Sequence, residues 1–126
     1  QPQADWPTKI RDFATTLAAD HDPTIAIEGK LILFGLRLGP FMQSGGDDIE
    51  GMVGQLRALL QEEARTGSVL QIAIEAMNAL VRLGHEQEGR EVLDLIVAAF
   101  ENSEDPSLVE ETRRLREQAL IIDAGL

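Results

Sequence analysis

Proline and glycine are spaced along this chain so that they leave room for helices and for little else. Pro7, Asp22-Pro23, Gly39-Pro40, Gly45-Gly46, Thr66-Gly67, Gly84 and Asp105-Pro106 divide it into six segments of roughly 14 to 19 residues, an ordinary helix length. No segment alternates apolar and polar residues with period two, the signature of a strand. Apolar residues recur instead three and four apart, as one face of a helix requires. Between Trp6 and Ala19 they are Ile10, Phe13, Ala14 and Leu17; in the third segment they are Ile49, Met52, Val53, Leu56, Leu59 and Leu60.

The start and stop signals agree with that reading. Asp22 is a candidate N-cap with Pro23 at the first helical position, where proline's missing N–H would be unpaired anyway. Gly39-Pro40 is expected to end this second helix at Leu38. Asp47 or Asp48 opens the third, Ser68 to Leu83 forms the fourth, Glu86 to about Glu101 the fifth, and Asp105-Pro106 begins a sixth that ends near Ile122. Short connections force neighbours to lie antiparallel. Pro40 to Asp48 is the one long, glycine-rich loop. The expectation is therefore an all-α chain, residues 1–126 forming one domain: a right-handed stack of three antiparallel hairpins over residues 6–38, 47–83 and 86–122.

Composition sets limits on function. At 126 residues the chain has room for a single core. Acidic residues outnumber basic ones 22 to 11, which opposes attraction to a phosphate backbone or an anionic membrane, so no nucleic acid is expected as a partner. The excess is uneven: residues 84–126 hold eleven acids against four Arg, and residues 1–83 eleven against seven bases. The absence of Cys excludes disulfides, thiolate zinc sites and cysteine nucleophiles. The longest apolar stretch, Ile25 to Leu38, carries Glu28, Lys30 and Arg37 and is too short and too charged to span a membrane. A soluble protein is expected, with the compartment open and the cytoplasm marginally favoured. Gln1 in place of Met is expected of a processed product or an excised piece of a longer chain.

The chain also echoes itself. Ala26-Ile27-Glu28 leading to Arg37-Leu38-Gly39 returns as Ala73-Ile74-Glu75 leading to Arg82-Leu83-Gly84, 45 residues on; Glu50-Gly51 returns as Glu88-Gly89, 38 residues on. The difference of seven residues is expected to lie in the loop. Helix, turn glycine, helix, then Asp-Pro opening the next hairpin, best seen from Leu83-Gly84 to Asp105-Pro106, resembles a tetratricopeptide-type α-solenoid over about residues 24–122. Gly84 matches the turn glycine and Gly89 the small residue of close helix approach, while Ala73, Leu80 and Leu93 stand at the aromatic signature positions. HEAT-like and other helical-hairpin arrays share the same outline.

Residues able to carry catalysis are few. His21 and His85 sit at helix boundaries with no second histidine at metal-binding spacing and no nucleophile beside them. Asp20-His21-Asp22 resembles the opening of a calcium loop, but Ile25 and Leu31 stand where the turn glycine and the bidentate acid belong. Ser44-Gly45-Gly46 precedes a helix N-terminus, yet Asp47 and Asp48 follow it and are expected to cap that helix themselves. Glu62-Glu63 and Glu110-Glu111 are expected on solvated helix surfaces, where nothing raises a carboxyl pKa. No enzyme, metal or cofactor is expected.

The fourth segment is the most informative. Apolar from Val69 to Leu83, it admits only Gln71, Glu75, Asn78 and Arg82, spaced four, three and four apart. They form one narrow polar stripe, and the helix is expected at the centre of the stack. The family resemblance implies that the stripe, with Arg37 on the equivalent position of the preceding hairpin, lines a concave groove that binds a protein or peptide partner. Two Arg forks would suit a carboxylate, although Gly29 and Ile74 stand where the family's carboxylate clamp has its lysine. The alternatives are a solvent face, a sensor of a small anion, and a homo-oligomerisation module. A further expectation concerns Leu31, Ile32, Leu33, Phe34 and Leu36 with Phe41 and Met42, assigned to core or, alternatively, to a peptide groove or dimer seam.

Overall fold

The computed structural model describes residues 6–62 and 65–123, with side chains for the same residues except 6 and 120–123. The described residues form six α-helices and no strand: α1 (Trp6–Ala18), α2 (Pro23–Gln43), α3 (Ile49–Leu60), α4 (Gly67–Arg82), α5 (Glu86–Phe100) and α6 (Pro106–Asp123). Consecutive helices pack as pairs, α1 on α2, α2 on α3, α4 on α5 and α5 on α6, and the stack is layered by α2 against α4 and α3 against α5. The expected all-α helical stack is what forms.

The ends of α2 show how sequence becomes structure here. Asp22 caps its start, the carboxylate accepting the Thr24 N–H at 2.9 Å with Pro23 in the first turn. Its end departs from expectation: α2 runs through Gly39 and Pro40 to Gln43. Pro40 withholds the N–H that the Leu36 carbonyl would receive, at a cost of about 3 kcal/mol. Continuing the helix carries Phe41 into the core, where it is almost fully buried, a gain of about 1.5–3 kcal/mol. A complete cap then follows. With Gly45 left-handed at φ 79°, the Gly46 N–H bonds the Phe41 carbonyl at 3.0 Å and the Gly45 N–H reaches Met42.

The same cap closes α4. Gly84 is left-handed at φ 87°, and the His85 N–H bonds the Leu80 carbonyl at 2.8 Å. The two helix stops, Gly45 and Gly84, are 39 residues apart, matching the 38 between the Glu-Gly pairs. The Arg-Leu-Gly triplets are therefore not structurally equivalent. Six of the seven extra residues lie in the longer helix α2 and not in the loop, because Phe41 drew the helix past its proline. Arg37 lies six residues before the end of α2, whereas Arg82 is the last residue of α4.

One core runs through the stack. Ile27, Phe34, Met52, Leu56, Leu70, Leu80, Ile96 and Phe100 are its largest buried side chains. Of the apolar run in α2, Leu31, Phe34 and Phe41 enter it, Ile32, Leu33 and Leu36 are half-buried, and Met42 is exposed. Two close approaches set helix spacing. A side chain at Gly29 would strike the Ala14 carbonyl and the Ala18 nitrogen of α1, so α1 and α2 are in backbone contact there. Gly89 does the same for α5 against α4, more loosely, its nearest neighbour being a methyl of Val81 at 2.8 Å from where a Cβ would stand.

Candidate functional site

Helix α4 touches α2, α3 and α5 and is the central helix of the stack, as expected from its composition. Val69, Leu70, Ala73, Ala76, Ala79 and Leu80 are buried on its inner side. Gln71, Glu75, Asn78 and Arg82 are all exposed, so the stripe faces water along the whole helix. Val81 is exposed as well, at 49%, which makes α4 less enclosed than an apolar helix predicts.

Two recesses flank this stripe, both made with α6. The N-terminal half of α4 contributes Gly67, Ser68, Gln71, Ile72 and Glu75 to an open cleft of about 680 Å³ whose other wall is Ser107, Leu108 and Glu111. Gln71 spans it, donating Nε2 to the Glu111 carboxylate at 3.0 Å. The C-terminal half contributes Met77, Asn78 and Val81 to a second recess of about 480 Å³, with Gly89 and Leu93 of α5 and Leu115, Gln118 and Ala119 of α6. This one is mainly apolar, with Glu86 and Arg90 at its edge. Parallel α4 and α6 thus offer a cleft of mixed lining at one end and a mainly apolar one at the other.

Arg37 lies on α2, not on this stripe. Its guanidinium bonds the Asp48 carboxylate at 2.5 Å and the Gln55 side chain at 3.1 Å, over the first turn of α3. Asp48 is the N-cap of α3, left-handed at φ 56°, and its other oxygen accepts the Gly51 N–H. Gly51 leaves room for this pair: a Cβ would meet both the Arg37 fork and the Asp48 carboxylate, which would have to shift. The carboxylate expected from a partner is supplied to Arg37 by its own chain. Arg37 is engaged by Asp48 and Gln55, whereas Arg82 is exposed at the end of α4.

Several other titratable groups bond within the chain. Asp20 and Asp22 bond backbone N–H groups at the α1–α2 turn, and Ser44 Oγ accepts the Asp47 N–H, so neither loop is arranged around an ion. Glu62 pairs with Lys30 across α2 and the end of α3, while Glu63 lies outside the described residues. Glu110 is held below the usual carboxylate range by a hydrogen bond from Arg113, with the charges of Arg113 and Arg114 adding to it. His85 Nε2 is buried without a partner, beneath Gly46 of the α2–α3 loop. Among the described residues no group of three or more His, Cys, Asp or Glu is placed to hold a metal ion, and no helix is long and apolar enough to cross a membrane.

Sequence reasoning missed what α6 adds and a cleft of about 690 Å³ between the first turns of α3 and α5. Glu50 and Glu88, the acids of the repeated Glu-Gly pair, both line that cleft, with Glu91 and Arg57 in contact at 3.5 Å. The repeat was visible; that its two copies lie side by side follows only from the packing of α3 on α5. In comparisons with known proteins, the chain matches no family, no curated protein and no solved structure.

Proposed function

We propose that this chain is a non-catalytic interaction module of the helical-repeat kind, tetratricopeptide-like in layering, that binds a peptide or protein segment along the α4–α6 seam. The observation that carries the reading is the exposure of the whole α4 stripe beside two clefts, one of mixed polar and apolar lining and one mainly apolar. A central helix whose polar face stays open while its neighbour stands off it presents hydrogen-bonding groups and an apolar recess to one extended ligand. Gln71, Glu75, Asn78 and Arg82 supply the polar contacts, and Met77, Val81 and Leu115 the apolar ones. Arg37 supports α3 and takes no part.

Selection from a random peptide display library, on the wild-type chain and on a Glu75→Arg, Arg82→Glu variant, tests this. Both positions are exposed, where substitutions change stability by no more than about 0.5 kcal/mol. Peptides enriched on the wild type are expected to bind the variant at least about tenfold more weakly, a difference of about 1.4 kcal/mol. Equal binding to both, or no saturable enrichment on the wild type, defeats the reading.

A further inference from the structure

The two faces of the stack beyond the α4–α6 seam are unlike each other, and they match. Helix α1 packs on α2 with Ala14 buried at the contact, while Ile10 and Leu17 are only half-buried and Phe13 is 60% exposed, the most exposed of the large apolar side chains. Lys9, one turn before Phe13, is on the same flank. At the other face, Leu93, Val97 and Ala98 of α5 and Ala119 of α6 floor a depression of about 250 Å³, with Asp94 and Glu101 of α5 and Arg90 and Arg116 at its margins. Asp94 and Glu101 are two turns apart with Val97-Ala98 between them, so an apolar patch is set between two carboxylates.

Charge follows the same polarity. Helix α1 holds Lys9, Arg11 and Asp12, and the shelf is edged by Asp94 and Glu101 with Arg90 and Arg116. Lys9 on the α1 flank and the two carboxylates beside Val97 and Ala98 are opposite in sign, a complementarity that favours register between one molecule's α1 and another's shelf. Within the chain each layer is covered by the next, α2 by α4 and α3 by α5. The α5–α6 shelf is the next place in that series, and α1 has the apolar flank to occupy it.

We infer that a second copy of this chain docks head to tail, its α1 on the α5–α6 shelf, with Phe13 of one copy over Val97 and Ala98 of the other and Lys9 reaching Asp94 or Glu101. The contact is heterologous: the surfaces differ, so each copy keeps one free head and one free tail and assembly continues in one direction. The shelf adjoins the apolar recess of the α4–α6 seam and shares Leu93 and Ala119 with it, but Val97 and Ala98, on which the contact centres, lie outside that recess.

Sedimentation velocity from micromolar to millimolar concentration decides this. The wild type is expected to grow in mass with concentration, and less so at high salt. Phe13→Glu alone and Ala98→Glu alone alter exposed positions, so both remain folded by circular dichroism; each is expected to be monomeric. Mixed in equal amounts they are expected to form a one-to-one dimer and no larger species, because the first retains an intact tail and the second an intact head. A wild type that is monomeric throughout overturns the inference. So does self-association of either variant alone, which would mean a symmetric contact, or a mixture that stays monomeric.

Discussion

Thr112 is almost fully buried at 3% exposure, and its hydroxyl has no hydrogen-bond partner. An unsatisfied buried hydroxyl costs about 1–3 kcal/mol, whereas an apolar group of the same shape carries no such penalty. Thr112→Val is therefore expected to leave stability unchanged or raise it by about 1 kcal/mol, measured as the urea midpoint at constant m; a loss of that size would mean the hydroxyl is paired. The two contact glycines separate in the same assay. Gly29→Ala forces a methyl against the backbone of α1, which cannot step aside, and is expected to cost about 3 kcal/mol. Gly89→Ala meets the end of an exposed valine side chain that can rotate. There the helix propensity gain of about 1 kcal/mol offsets the strain, and the net change is expected to stay within about 1 kcal/mol. Neither hydroxyl nor glycine could be ranked from sequence, since each depends on what stands opposite it.

At the scale of the helix, local chemistry was legible wherever the deciding groups lie close in the chain. Asp22, Asp48 and Asp105 each stand where the sequence puts a start signal, and each carboxylate accepts a backbone N–H two or three residues on. The cap of α6 gives a pH-dependent outcome. Asp105 is held below the usual carboxylate range, first by the Ser107 hydroxyl and then by the Ser107 N–H, against a smaller opposing effect of burial. A carboxyl whose pKa is lower folded than unfolded stabilises above its ordinary unfolded value, and that contribution disappears as the pH falls through the lowered one. Glu110 acts in the same direction through Arg113. Protection of the Ser107 and Leu108 amides, measured as exchange relative to the intrinsic rate at each pH, is expected to fall on acidification below about pH 4, and Asp105→Asn is expected to flatten that response. An unchanged acid profile in the variant would show that the cap does not titrate. Pro40 marks where local reading failed: the residue that overrode it, Phe41, is indistinguishable in sequence from a loop phenylalanine and is decided by the core it enters.

Across the whole molecule, the two proposals concern different surfaces, a seam and two outer faces. The seam is made by α4 and α6, the outer faces by α1 and by the α5–α6 shelf. If both readings hold, a peptide retained by the α4 stripe binds the Phe13→Glu monomer more tightly than the wild-type assembly, because a docked α1 would cover Leu93 and Ala119, which the shelf shares with the apolar cleft. Titration of a selected peptide into both, followed by fluorescence anisotropy, checks this. Equal binding to both would show that the shared residues do not couple the two surfaces.

Periodicity and punctuation in the sequence by themselves determined six helices, their order and nearly all their boundaries, because each rests on contacts within four residues of the chain. They also determined that α4 is central and where its polar stripe lies, since a helix apolar on most sides has to be covered. The tertiary structure alone decided which arginine is free and which recess lies beside the stripe. Arg37 and Arg82 share a local sequence, yet Arg37 is taken up by Asp48 because α2 was drawn past Pro40 by the burial of Phe41. Such outcomes balance energies of a few kcal/mol between residues far apart in the chain, and no local pattern records that balance.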